Sequence, residues 1–379
     1  MQAPRNRNLV KGDVSRSASE PLKYQQLADH FMAQIRSGQL APGTQLPTFA
    51  QMNQQHDVSR STVEKMLLIL EREQLIERQN GNGIFVAQGR RRSTQGIIGL
   101  SGEGFNFGEY SSYWSQIMGG AREASAREKT QLLILDPHST HGWEKVDGVL
   151  VCDWTSPRDS HSQIADLPVV SLMTPVEGMA SAIADDENGT YIATRRLLEL
   201  GHRKIAYMHG YDCSTTTRRL AGYSRALQEA GIEQSPNWTR YLQGKYYVGA
   251  RFSIEARRNM LQWLREDWST LGCTALLCHN DEAAIGAIQA FAEFGISVPQ
   301  DVNVVGFDGT EFCDLVSPSL SSVGVPLREI GAAGVELLLK QIKADAVSDE
   351  HRVLPVQWQE RNSTSAPKNR KKQINETLS

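Results

Sequence analysis

Between residues 57 and 66 the chain reads DVSRSTVEKM, which sets three short hydroxyl side chains, Ser59, Ser61 and Thr62, around Arg60. A guanidinium offers a two-pronged donor to guanine O6 and N7, and hydroxyls donate to phosphates or touch base edges, so the strip has the chemistry of a nucleic-acid contact. Lys65 adds a cation one turn further on. Glu64 is the odd member: a carboxylate there either avoids phosphate or accepts from a cytosine N4 donor. A second set of polar residues closes apolar runs farther along: His138, Asp153 with Trp154, His209, Asn280 with Asp281, and Asp308. Polar groups gathered at the ends of buried strands are the usual lining of a small-molecule pocket.

The hydroxyl strip needs a rigid helix to present it. From Pro21, the residues Tyr24, Leu27, Phe31 and Ile35 recur at helical spacing, and Gly38 ends that helix. Two prolines and two glycines in SGQLAPGTQLPT forbid continuation, and Thr48 with Gln51 forms a reciprocal cap for a short second helix. Asp57 and Val58 turn the chain, Ser59 caps a third helix, and Val63, Met66, Leu67 and Leu70 form its buried face. The stretch LIERQNGNGIFVAQ then alternates about Asn80, Gly81, Asn82 and Gly83, as two short strands and a tip do. Three helices and a hairpin predict a winged helix-turn-helix, with Thr48 and the start of helix three on the major-groove face and Gly81, Asn82 and Gly83 in the wing.

From Gly96 the texture changes. GIIGLS, TQLLILD, DGVLVCD, LPVVSLM, HRKIAYMHG, CTALLCHND and VNVVGFDG are apolar without alternation, as parallel strands buried on both faces are. They predict an α/β body of Rossmann-like character.

Composition limits what such a chain does. With 379 residues, 40% hydrophobic and 22% charged, it holds more than one folding unit and is globular. Net charge is −3, yet the first 95 residues carry +5 and the remainder −8, so only the head is suited to phosphate. Residues 1–20 and 363–379 are polar and read as disordered tails. Five cysteines without CxxC spacing indicate reduced thiols, and without a long apolar span or signal-peptide layout the expected location is cytoplasmic. An enzyme is not expected. There is no Walker loop or complete GxGxxG, and GLSGEG misses the nucleophile-elbow spacing at Glu103. His138 and His141 near Asp136 lack a further committed ligand, so no metal and no cofactor are expected.

The run from Tyr24 to Val86, with APGTQLP, VSRSTV and GNGIFV, resembles the winged-helix domain of GntR-family regulators. It departs from that pattern at Thr48, Phe49 and Ala50, where Ser-Glu-Arg is usual, and at Glu64, where a base is usual. Beyond Gly96, ADDENGTYIATRRLLELGHRKIAYMHG, TTRRLAGYSRALQEAGI, ALLCHNDEAAIGAIQAFAEFGISVPQDVNVVGFDGTEF and SPSLSSVGVPLREIGAAGVELLLKQI resemble the effector domain of LacI/GalR regulators. That resemblance implies a type I periplasmic-binding-protein fold of two α/β lobes around a cleft, and the combination is similar to AraR-like sugar-responsive repressors. It further implies that Arg219 clamps the effector, that Asp281 and Asp308 accept its hydroxyls or amines, that Asp185 stands near the lobe crossover, and that Tyr113 or Trp114 stacks on a ring. Met173 replaces a common ligand carboxylate, and PHSTHGWEKV is shorter than the usual crossover helix.

The expected domains are thus a winged helix-turn-helix over 21–88, a linker over 89–95 with a basic hinge at Arg90 to Arg92, and an effector domain over 96–362. Lobe one is expected over 96–183 and 325–346, lobe two over 184–324 and 350–362. Expected partners are double-stranded operator DNA, a small sugar-like effector and a second copy of the chain, with the REIGAAGVELLLKQI stripe as a candidate dimer face. The alternative is a cytosolic sugar-binding protein or α/β enzyme without a DNA role.

Overall fold

The computed structural model describes residues 23–36, 39–41, 43–72, 75–79, 82–87, 95–102, 111–139, 141–152, 167–211, 213–243 and 249–367. Gly38, Asn80, Gly81, Arg90 to Arg92, Asp153 and Trp154 lie outside them, as do residues 1–20, most of the expected linker and residues 368–379. The chain divides into two compact units, 1–93 and 94–379.

In the first unit, α1 (Lys23–Arg36), α2 (Phe49–His56) and α3 (Arg60–Arg72) precede an antiparallel hairpin of β1 (Ile76–Gln79) and β2 (Gly83–Val86). Leu27, Phe31, Leu46, Met52, Ile76 and Val86 close the core with Val63, Met66, Leu67 and Leu70, the last four fully buried. Asp57 ends α2 in the left-handed conformation at φ 48°, which turns the chain into α3 within a few residues. One element escaped the sequence reading: Gly43 to Leu46 pairs with β2 through Leu46 N to Ile84 O at 2.8 Å and Val86 N to Thr44 O at 2.8 Å. The proline-rich segment is therefore a third edge of the wing. Gly83 has φ 117°, a conformation that calls for glycine, whereas the nearby Gln45 amide could swing aside from an added Cβ.

In the second unit, two six-stranded sheets share the chain. The first, in the order β13-β7-β6-β5-β3-β4, contains β3 (Ile97–Ser101), β4 (Gln131–Leu135), β5 (Val149–Val151), β6 (Val169–Ser171), β7 (Ala180–Ala184) and β13 (His351–Leu354), all parallel. The second, in the order β14-β12-β11-β10-β8-β9, contains β8 (Ile205–His209), β9 (Thr239–Tyr241), β10 (Ala275–Cys278), β11 (Asn303–Asp308), β12 (Ser321–Gly324) and β14 (Gln357–Gln359). Its pairings are parallel except that of β12 with β14. Central strands such as β8, β10 and β11 are buried at every position, as their unbroken apolar runs predict.

Helices α4 (Ser112–Arg127) and α9 (Leu327–Ala344) pack on each other beside the first sheet. The second lobe has α5 (Asp186–Glu199) against α6 (Ser214–Glu229), and α7 (Gly249–Glu266) against α8 (Asp281–Glu293). Three expectations need correction. The stripe in α9, including Ile330, Val335, Leu338 and Leu339, is buried against α4, β5, β6 and β7, so it is core. Residues 351–354 belong to the first sheet, because β13 pairs with β7, whereas the expected division put them in lobe two. Residues 363–367 are no tail. Ser363 is fully buried and donates to Val304 O at 2.6 Å, and Ser365 N donates to Asn303 Oδ1 at 2.7 Å.

The short crossover after β4 holds a single 3-10 turn, Trp143–Lys145, among the described residues. Trp143 is 5% exposed and packs with Leu135, Val149 and Val151, so one indole covers sheet surface that a longer segment would cover.

Candidate functional site

The start of α3 carries the first group of candidate residues. Ser59 and Arg60 are exposed, and Ser59 Oγ takes the Thr62 backbone N at 3.2 Å, the bond of a helix cap. Ser59 Oγ also lies 2.9 Å from both Ser61 Oγ and Thr62 Oγ1, giving a compact hydroxyl cluster. Thr48 and Gln51 form the expected capping box, with Thr48 N donating to Gln51 Oε1 at 2.8 Å. Arg60 Nε donates to Glu64 Oε1 at 3.2 Å, and the guanidinium carbon stands 5.3 Å from the centre of the Phe49 ring. Lys65 turns to α1, its ammonium 5.6 Å from the Tyr24 ring centre. In the wing, Asn82 is exposed and its carbonyl accepts from Gln45 Nε2 at 2.9 Å. Exposed pairs of this kind are worth only about 0.3–0.5 kcal/mol, so their meaning lies in orientation rather than stability.

Of the second group, His209 and Asp308 gather around the buried Arg219. Arg219, 4% exposed, sits on α6 and is held from several directions. Its Nε donates to Asp186 Oδ1 at 2.8 Å, Nη1 donates to the His279 carbonyl, Nη2 stands 3.6 Å from Asp308 Oδ1, and its Cζ lies 3.6 Å from the centre of the Phe307 ring. Burial works against this charge, but the Asp186 and Asp308 carboxylates outweigh it and hold the proton more tightly than in free arginine. Two glycines make the arrangement possible. A Cβ on Gly222 would lie 1.9 Å from Glu187 O, so its absence lets α6 seat against α5 and bring Arg219 onto Asp186. A Cβ on Gly189 would lie 2.6 Å from the Phe307 ring that underlies the guanidinium.

Asp308 is 4% exposed and at φ 111°, a conformation that costs a non-glycine residue on the order of 1–3 kcal/mol. Burial pushes its carboxyl well above the usual range, with Arg219 opposing. Tyr113 reaches the same place from α4: burial, with the Asp308 and Asp186 charges, raises its hydroxyl. Its neighbour Trp114, 4% exposed, is turned into the core with the two rings 5.0 Å apart, so of the aromatic pair Tyr113 is the cleft residue. Four polar atoms here, Asp308 Oδ1, Tyr207 Oη, His209 Nδ1 and His279 Nδ1, have no hydrogen-bond partner among the described residues. Both histidines are neutral. Burial lowers His209 to about 4, and burial with the Arg219 charge lowers His279 well below the imidazole range.

Other expected residues are engaged within the chain or stand apart from this cluster. Asp281 is fully buried and accepts from Thr310 N at 2.7 Å, Thr310 Oγ1 at 2.9 Å and Ser322 Oγ at 2.6 Å, so its oxygens fasten the loop after β11. Asn280 caps α8 through Ala283 N at 2.9 Å, and Asp185 caps α5 through Asn188 N at 3.2 Å. His138 is exposed on the turn after the edge strand β4. Asp186, Phe307, Tyr207 and His279 were missed. The double acid in ADDENG was the available signal, since a helix start presents its cap and first residue in different directions.

The lobes touch beside this cluster. Glu311 accepts from Ser112 Oγ and from Gln116 Nε2, Arg218 bridges Asp186 Oδ2 at 2.7 Å and Met173 O at 3.3 Å, and Ser214 Oγ lies 3.5 Å from Thr174 Oγ1. Met173 thus contributes a carbonyl, its side chain being 5% exposed.

Residues 23–86 match the model for bacterial regulatory proteins of the gntR family, and residues 194–364 match the periplasmic binding protein-like domain. The chain is similar to the arabinose metabolism transcriptional repressor of Geobacillus stearothermophilus, 28% identical over 351 residues that cover 86% of this chain and 92% of that one. It is 32% identical over 206 residues to the HTH-type transcriptional repressor PurR of Vibrio vulnificus, covering 53% of this chain and 59% of that protein's length. A LacI family transcriptional regulator from Mycobacterium smegmatis superimposes with a TM-score of 0.61 at 25% identity, over 72% of this chain and all of the other.

Proposed function

We propose that this chain, a member of the transcriptional regulators that join a gntR-family winged helix to a periplasmic binding protein-like body, is a repressor that responds to a small sugar or sugar derivative. One observation carries the reading. Arg219, Asp308 and the neutral His209 and His279 form a buried cluster of donors and acceptors in one lobe, and Tyr113 joins it from the other. Such groups bind polyol hydroxyls through directional, charge-assisted bonds. A ligand that contacts both lobes favours the closed arrangement, and that preference is what biases the heads.

The α3 hydroxyls, Arg60 and the wing residues Gly81, Asn82 and Gly83 serve the operator. A single winged helix makes few contacts, so the regulator acts as a homodimer on paired half-sites. Its work is recognition rather than catalysis, and that work is carried out in the cytoplasm.

A thermal-shift screen over pentoses, hexoses and disaccharides tests the cleft, with Arg219→Ala and the near-isosteric Asp308→Asn as controls. The expected result is a stabilising sugar whose effect both variants lose. A sugar that stabilises both variants as much as the parent chain overturns the assignment. Salt-sensitive mobility shift of the chain's own promoter region tests the head.

A further inference from the structure

We infer that Glu64 is a positioning residue for base recognition: together with Phe49 it fixes the Arg60 guanidinium, and so sets which base pair the head reads. The inference rests on the DNA-binding reading of the head.

Arg60 would be a long, freely rotating side chain at 75% exposure, yet it is held at two points. Glu64, four residues on and on the same helical face, accepts from Nε alone. Among the described residues, neither Nη group holds a hydrogen bond, so the pair of nitrogens that matches guanine O6 and N7 stays available. Phe49 provides the second point from another helix, with its ring 5.3 Å from Cζ. That ring is itself fixed, since Phe49 opens α2 directly after the Thr48 capping box and packs on the head core.

The order of the charges separates this reading from a pair that merely supports the helix. A stabilising pair places the acid toward the N-terminus and the base toward the C-terminus, in keeping with the helix dipole. Here the order is reversed. Arg60 stands at the positive end, where a cation is disfavoured but where recognition helices present their base-reading groups, and the acid stands one turn inward. The chain departs from the GntR pattern at Phe49 and at Glu64, and these two side chains converge on one guanidinium. Because Glu64 is engaged by Arg60, its influence on sequence preference passes through that arginine.

The experiment is a binding selection from randomised duplex DNA with the full chain and its Arg60→Ala, Glu64→Ala, Glu64→Gln and Phe49→Leu variants, each first checked for an unchanged thermal melt. Arg60→Ala identifies the base pair that the arginine reads. Glu64→Ala is expected to relax preference at that same base pair by about twofold, the worth of an exposed ion pair one helical turn apart. Glu64→Gln, which keeps an acceptor for Nε, restores most of it, and Phe49→Leu weakens it in the same place. Two results would overturn the inference: a change confined to a base pair that Arg60→Ala leaves alone, which makes Glu64 a direct reader, or a uniform gain in affinity with preferences intact, which makes it a phosphate-avoiding charge. If the parent chain binds no DNA in a salt-sensitive manner, the DNA-binding reading itself falls and takes this one with it.

Discussion

Glu282, beside the fully buried Asp281, is 6% exposed, and its carboxyl is pushed up to about 7, first by burial and then by the charges of Asp281 and Glu311. A carboxyl raised in the folded state contributes its stability fully below its ordinary value of 4.5 and loses it as pH climbs through about 7. Glu282→Gln is neutral at every pH, so it is expected to match the parent chain near pH 4.5 and to exceed it above pH 7, by up to about 3 kcal/mol. Thermal melts of both proteins from pH 4.5 to pH 8 check this, and parallel curves would show that Glu282 is not the titrating group. Residues at this scale were legible by type more than by role. Arg219 and Asp308, both expected to hold the effector, stand 3.6 Å apart, whereas Asp281 and Asn280, expected at the same site, direct their oxygens to a loop and a helix cap. A carboxylate that seals a fold and one that awaits a ligand look the same in a one-letter string. Only the count of donors around each oxygen separates them.

Helix pairs in the body approach through single glycines, and one of these governs the cleft. Gly222→Ala places a methyl against the Glu187 carbonyl, so α6 must move away from α5 and carry Arg219 off Asp186. Such overpacking costs about 1–3 kcal/mol. The variant should therefore unfold at lower denaturant and lose most of its sugar-induced thermal shift; a destabilised protein that keeps a full shift would uncouple the helix contact from the site. Elements were the most readable level of this chain. The four buried positions of α3 follow from spacing alone, and so do the buried central strands. What spacing missed were contacts between segments distant in sequence: the Gly43–Leu46 edge of the wing, made by backbone bonds to β2, and the seating of β13 in the first sheet. A short polar strand paired at a sheet edge leaves no periodic trace in its own residues.

On the scale of the whole molecule, charge is divided between a positive head and a negative body, which confines attraction for DNA to one end. Under the proposed function two ligands meet one chain, and their affinities are bound by reciprocity: whatever factor the effector applies to operator affinity, operator DNA applies to effector affinity. Titration of the stabilising sugar into the protein with and without operator DNA should give two affinities that differ by about 5- to 150-fold. Equal affinities would mean that the cleft and the head act independently.

The chain passes between the lobes after β7, after β12 and again between β13 and β14, where only residues 355 and 356 separate a strand of one sheet from a strand of the other. Both sheets thus take an outer strand from the same short stretch near the end of the sequence, and Ser363 and Ser365 then fasten it to β11. This has a meaning in time. During synthesis neither lobe can finish before that stretch has left the ribosome, and each meanwhile presents the open side of β7 or β12, so the sensor is completed in one late step that closes both halves together.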